Sequence, residues 1–363
     1  PISIILGSSI SLINIILLIS FFLFVLVKQK SFYFVNHISV KLLFILYLYL
    51  IFNSFISQDY KIGLSRNIGF LRLVIFFVFV NYFFFHYKNN RKILDFWSIV
   101  LFVLIIDVFI EYFFGTNLFG WGAKDQIYGE RVTSFFKDEP IVGAYLVGFI
   151  FLVFGHLLGR TNKKTIAFIF LVIAFMSVIF TGERSNTIKA FLGIAIYFLL
   201  LDFLKIKIKL FIILLFFLIF GAILSQSEYL KIRYIDQFYN ILTIKKKSER
   251  EKLSYSLLLE NSQYIRLYKS GYSVFKNFPF FGVGNKNYRV ETCKKKDNID
   301  KQGNDYVCLT HPHQVYFELL SEHGLFGSIL ILGIFFYLMF KILKSIQMSR
   351  NYVQIGAFTF VLI

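Results

Sequence analysis

The chain has 363 residues, of which 57% are hydrophobic and 49 are phenylalanine, and a formal net charge of +18; its mean hydropathy is +0.67. Apolar runs of about 20 residues recur along it, each long enough to cross a bilayer as a helix, which excludes a water-soluble globular domain. The lysines and arginines cluster between those runs, so the positive excess reads as membrane topology and phosphate-bearing lipid ligands; no nucleic-acid partner is expected.

In chain order the predicted spans are Ile2–Val27, Leu42–Ile56, Ile68–Phe85, Ile93–Phe114, Ile141–Leu158, Thr165–Thr181, Ile188–Leu204, Leu210–Leu224 and Gly324–Ile342, with a last one starting near Val353. The expected fold is therefore all-α and polytopic, with about ten transmembrane helices. The connecting loops alternate in charge. Lys28–Lys30, Lys88–Lys92, Arg160–Lys164, Lys205–Lys209 and Lys341–Arg350 fall on one side if every span crosses, and the positive-inside rule makes that side cytoplasmic. The outer side then holds Ser57–Asn67, Gly115–Pro140, Gly182–Asn186 and the long stretch Gln226–Pro312. The sequence opens at Pro1 and stops at Ile363 inside a fresh apolar run, so it reads as a fragment, with no cleavable signal peptide evident.

The long outer stretch has a helical piece over Glu249–Tyr268 and turn chemistry in Phe278-Pro279-Phe280-Phe281-Gly282-Val283-Gly284. Both cysteines, Cys293 and Cys308, lie in it. In an oxidising compartment such a pair reads as a disulfide closing a lysine-rich lobe; two free thiols in a small insertion are the alternative.

The stretch then leads into Thr310-His311-Pro312-His313-Gln314 and the last long apolar run. Pro312 suits the first turn of a helix, and a histidine there would meet the positive end of the helix dipole, which favours the neutral ring of a general base. At helical spacing His313, Phe317, Leu320, Gly324 and Gly327 share one side, and the glycines would let another helix come close. Three arginines are expected on the same outer face: Arg131, Arg184 and Arg266. Guanidinium groups grip phosphate oxygens two at a time, so several of them converging would hold a diphosphate without a metal; the plainer reading is snorkelling to lipid headgroups. Asp107 and Glu111, one helical turn apart, read with Arg72 as a buried ion pair between helices. His37, His86 and His156 carry no assigned function, and no spacing suggests a metal site.

His313-Gln314, followed by Gly324 and Gly327, resembles the histidine–amide–glycine motif of the O-antigen ligase/polymerase superfamily of bacterial envelope proteins. Three further stretches look similar to motifs of that family in the same order. They are Arg131-Val132-Thr133-Ser134-Phe135-Phe136 with Pro140 and Gly143, Thr181-Gly182-Glu183-Arg184-Ser185, and Arg266 followed by Phe278–Gly284. The arginine-to-glycine spacings in the first two depart from the polymerase consensus.

The resemblance implies a multi-pass protein of about twelve spans in the bacterial inner membrane, with one large periplasmic loop between the last spans and a periplasmic active face. N-terminal helices would occupy 1–130 and a ligase-like catalytic region 131–345, including the loop 226–312, with 346–363 beginning a further helix. It further implies inverting, metal-independent glycosyl transfer with no cofactor. The donor would be a glycan on undecaprenyl diphosphate, and the acceptor lipid A–core for a ligase or a lipid-linked glycan for a polymerase, with membrane lipids as the other partners. His313 would be the base, Arg184, Arg266 and Arg131 would hold the diphosphate, and Gln314, Gly324 and Gly327 would support the motif. Transfer to protein hydroxyls is the alternative within the superfamily, and a transporter or lipid flippase is the alternative outside it.

Overall fold

The computed structural model describes residues 2–29, 36–86, 91–122, 131–137, 139–160, 164–236, 263–294 and 306–363. Among these residues all regular structure is helical. The helices are α1 (Ile2–Ile5), α2 (Ser8–Gln29), α3 (Ile38–Phe55), α4 (Tyr60–His86), α5 (Arg91–Phe114), α6 (Val142–Leu158), α7 (Lys164–Phe180), α8 (Arg184–Leu200) and α9 (Ile206–Gln226). There follow α10 (Glu228–Lys231), which runs into a π turn at Ile232–Asp236, then α11 (Gln263–Asn277), α12 (Tyr288–Cys293), α13 (Val315–Ser349) and α14 (Tyr352–Leu362). Helices suit this composition because in hydrocarbon each backbone N–H and C=O must find its partner within the segment.

Among the described residues six helices are long and apolar enough to cross a membrane: α2, α3, α4, α5, α9 and α13; α6, α7 and α14 are apolar but shorter. Large side chains such as Leu17 and Phe24 on α2 are 64% and 65% exposed, as befits a surface that lipid rather than water would cover. Several boundaries differ from those expected. The first run breaks at Gly7, whose φ of 115° only glycine adopts readily. The third span starts at Tyr60 rather than Ile68, which puts Arg72 well inside a helix instead of near its end. The piece expected from Glu249 is helical from Gln263 on, and its earlier part lies outside the described residues, as does most of the lysine-rich lobe between the cysteines.

The chain forms two compact units. Unit 1 comprises residues 1–14, 88–240 and 339–363; unit 2 comprises 15–87 and 241–338. In unit 1 α6 is the central helix, with Leu146, Ile150, Phe151, Val153 and Phe154 all buried. Glycines set its closest contact. A Cβ on Gly155 would lie 2.3 Å from the Tyr352 carbonyl oxygen, and one on Gly356 would lie 2.2 Å from that of Phe151, so α6 and α14 touch backbone to backbone. The Tyr197 hydroxyl donates to the Tyr352 carbonyl at 3.0 Å and ties α8 to the same seam.

Unit 2 is built on the α3–α4 hairpin. Buried Asn67 on α4 donates to the Leu50 carbonyl and the Ser54 hydroxyl of α3, each at 2.7 Å. A buried amide so placed fixes the register of the two helices, because leaving it unsatisfied would cost about 1–3 kcal/mol.

Candidate functional site

The arginines of unit 1 gather around one carboxylate. Asp107 and Glu111 first fix the segment that carries Arg131. Glu111 accepts the Thr133 and Ser134 N–H groups at 3.1 and 2.5 Å, and Asp107 accepts the Leu118 N–H at 2.9 Å and the Ser134 hydroxyl. Arg72, expected to form an ion pair with these carboxylates, belongs to unit 2, and they belong to unit 1. Backbone N–H groups of the adjoining loop satisfy them, and Arg72 has no ion pair among the described residues.

Glu183 ends the short connection between α7 and α8. Its Oε1 accepts the Gly143 N–H at 2.8 Å, one of the free N–H groups in the first turn of α6, and its Oε2 accepts from Asn186. A Cβ on Gly143 would lie 2.9 Å from that carboxyl, so the glycine makes the room the carboxylate fills. The next residue is Arg184. From the other side the π turn brings Arg233, whose Nε donates to the Gly182 carbonyl at 3.1 Å, while Tyr234 shares a 2.7 Å hydrogen bond with Thr187. Burial, then the positive charges of Arg131 and Arg184, hold the Arg233 guanidinium below its ordinary value. Burial raises the Glu183 carboxyl, opposed by the Gly143 N–H, Asn186, Arg131 and Arg233. The Arg131 Nε is buried without a hydrogen-bond partner among the described residues. Arg131 and Arg233 thus act on the Glu183 carboxylate, while Arg184, its chain neighbour, acts with Arg131 on Arg233.

Sequence reasoning singled out Arg131 and Arg184 but missed Arg233 and the part played by Glu183. Arg233 sits among Tyr229, Lys231 and Tyr234 in a basic stretch, and nothing local sets it apart from its neighbours. The Gly182-Glu183-Arg184 run did carry a signal: a carboxylate beside an arginine at the mouth of a helix.

In unit 2 the His313 segment is held by close backbone contact. The turn at 279–284 crosses α13 where it kinks at Gly324 (φ 63°, ψ −165°). Val283 and Gly284 donate to the Ser321 and Glu322 carbonyls, each at 2.9 Å; Leu325 and Phe326 donate to those of Pro279 and Phe280, at 2.8 and 3.1 Å. A Cβ on Gly324 would lie 2.4 Å from the Phe280 carbonyl, and one on Gly282 the same distance from that of Glu322. Gly327 faces the Tyr49 hydroxyl of α3, 1.8 Å from where its Cβ would be. The motif's two glycines are therefore contact points for a loop and a helix.

His313 itself lies before the helix, not in its first turn as expected. It adopts φ 57° and is exposed, and α13 starts two residues on. Gln314 begins the helix instead: its side-chain oxygen accepts the Phe317 N–H at 2.9 Å and its carbonyl accepts the Glu318 N–H at 2.9 Å. The His311 and His313 rings are 4.2 Å apart. Arg266 is exposed on α11, which packs on the residues flanking His313: a Cβ on Gly271 would meet Pro312 and Phe317 at 3.0 Å, and Tyr268 stacks on Phe317. Cys293 and Cys308 form a disulfide. It fastens α12 to the strap leading to His313, while the Val307 N–H donates to Ser270 of α11 at 2.9 Å. Among the described residues no group of His, Cys, Asp or Glu is placed to hold a metal ion.

Residues 169–332 match the model of a protein family described as O-antigen ligase. The matched part takes in Arg184, Arg233, Arg266, His313 and Gly327 and leaves Arg131 outside it. No curated protein matches the chain. Over residues 169–332 this multi-pass membrane protein is therefore similar to the O-antigen ligase superfamily.

Proposed function

We propose that the protein transfers a glycan from undecaprenyl diphosphate to an acceptor hydroxyl at the periplasmic face of the bacterial inner membrane, acting as an O-antigen ligase with lipid A–core as acceptor. The observation that carries this reading is the mutual proximity of Arg131, Arg184 and Arg233 beside Glu183, with a buried guanidinium N–H on Arg131 that no group among the described residues satisfies. A diphosphate leaving group is the ligand whose charge and oxygen count suit it. In the reaction the acceptor oxygen forms a bond to the anomeric carbon and its proton passes to His313. The carbon–oxygen bond to the diphosphate breaks, and the electron pair leaves on the diphosphate, where the arginines stabilise it. Direct displacement inverts the anomeric centre. Arg266, on the helix that packs beside the His313 segment, is assigned to the same phosphate chemistry. The alternating loop charges support an outer, periplasmic location for all of these residues.

The test uses the full-length protein in a strain lacking its own ligase. Wild type should restore long glycan on lipid A–core, seen on a lipopolysaccharide gel, and His313→Ala should lower the product by about 10²–10⁴-fold, the range for loss of a general base. Growth of lipid-linked chains in a polymerase-deficient strain would instead make the protein a polymerase. A His313→Ala variant as active as wild type would end the proposed role of this histidine.

A further inference from the structure

Unit 2 contains a cavity of about 770 Å³ between α3, α4 and the Asn285–Lys286 turn. The volume is that of a site for a small organic ligand. Its wall is of two kinds: Leu50, Phe70 and Leu73 are apolar, whereas Arg66, Arg72 and Lys286 are cationic. Lys286 is paired with Glu318 at 2.8 Å. Arg66 and Arg72 are exposed, and neither makes an ion pair or hydrogen bond among the described residues. Asn285 donates its side-chain amide to Asn67 Oδ1 and its backbone N–H to Asn53 Oδ1, so the polar wall is fixed by bonds within the protein.

Depth makes the two arginines informative. At 1.5 Å per residue from Tyr60, Arg66 lies about 9 Å and Arg72 about 18 Å along α4. A guanidinium at the second depth on an apolar helix is costly against hydrocarbon, and charged residues so placed face water-filled cavities or pair with opposite charge. Here the two arginines line a cavity, and among the described residues neither meets an opposite charge. Gly69, between the two arginines in sequence and also lining the cavity, has nothing within 4 Å of where its Cβ would be.

We propose that this cavity binds a phosphate-bearing amphiphile, with the phosphate on Arg66 and Arg72 and the hydrocarbon chain along Phe70 and Leu73. The site is made of residues other than those of the unit 1 arginine cluster, and the inference does not depend on the transferase reading.

The test is equilibrium binding of fluorescent short-chain phosphatidic acid to the purified full-length chain in neutral detergent, with short-chain phosphatidylcholine and inorganic phosphate as competitors. Wild type should bind the phosphatidic acid, and neither competitor should displace it at equal concentration. Arg66→Gln/Arg72→Gln should weaken binding at least tenfold, and Arg72→Lys by less. Gly69→Phe should abolish binding by filling the space while leaving every charge in place. That glycine is helical and faces open space, so the variant should fold, and its unfolding temperature is the check. Unchanged binding in Arg66→Gln/Arg72→Gln or in Gly69→Phe overturns the proposal. So does equal displacement by phosphatidylcholine, which would remove the need for net negative charge, or by inorganic phosphate, which would remove the need for the chain.

Discussion

The arginine cluster of unit 1 and the His313 segment of unit 2 are built by opposite means. The cluster is made of long, charged side chains brought from three separate stretches, and a carboxylate at the mouth of α6 acts on two of them, Arg131 and Arg233. The His313 segment is made of absences: Gly282, Gly324 and Gly327 let backbones touch, and the residue being positioned stands exposed at the end. The first design stores charge and tolerates adjustment, since guanidinium groups can re-aim. The second stores position and tolerates almost none. The two should therefore fail differently when altered.

The largest effect should come from Gly324→Ala. The φ/ψ pair at this position is accessible essentially to glycine alone, with strain of about 1–3 kcal/mol for another residue, and the new Cβ would meet the Phe280 carbonyl. Thermal unfolding of the purified protein should shift sharply downward; a variant as stable as wild type would show that the kink does not need glycine. Next is the disulfide. Its partners are 15 residues apart, and loop-closure arithmetic gives about 3 kcal/mol to the region it closes. Cys293→Ser/Cys308→Ser should lower the unfolding transition of unit 2 and make it insensitive to reductant. An unshifted transition would reduce the bond to decoration. Gln314→Ala removes a side-chain acceptor from the first turn of α13 and should cost about 1 kcal/mol, as other N-terminal caps do. If Gln314→Ala lowers transfer activity far more than that predicts, the amide does more than cap.

The smallest effect separates the two designs most cleanly. Burial raises the Glu183 carboxyl above the ordinary value, so its contribution to folding stability is full below the unfolded-state pKa and falls as pH rises through the folded-state one. Protonation also removes the negative charge that Arg131 and Arg233 face. Binding of a diphosphate probe should therefore strengthen as pH falls through that range, and Glu183→Gln should flatten the dependence while leaving His313-segment stability untouched. A pH profile of the same slope in Glu183→Gln would assign the dependence to another group.

Much of this was legible in the sequence, and the physical reasons differ from residue to residue. Apolar runs announced helices because a membrane forces the backbone to satisfy itself. The order of the arginine stretches and the His313 motif pointed to the superfamily. Helix ends were harder. Tyr60–Asn67 reads as a polar loop, yet Asn67 buries its amide against α3, and that burial lets the helix begin eight residues early. The same shift carried Arg72 inward along the helix. His313 was expected inside the helix on the strength of Pro312, but Gln314 caps the turn that proline was expected to open. Arg233 could not be found from local sequence, because its significance lies in a hydrogen bond to Gly182, about fifty residues earlier.

The crossing of the 279–284 turn over α13 has a consequence for how unit 2 moves. Its four N–H···O bonds run in both directions between the two backbones, Gly282 and Gly324 leave no room for a Cβ at the contact, and the Asn53 amide donates to carbonyls of both segments. Partial opening would expose these groups without room for water to enter one at a time, so the bonds should open together. The amides of Val283 and Gly284, although in a connecting loop, should exchange their hydrogens as slowly as those of Leu325 and Phe326 in the helix, and at a common rate.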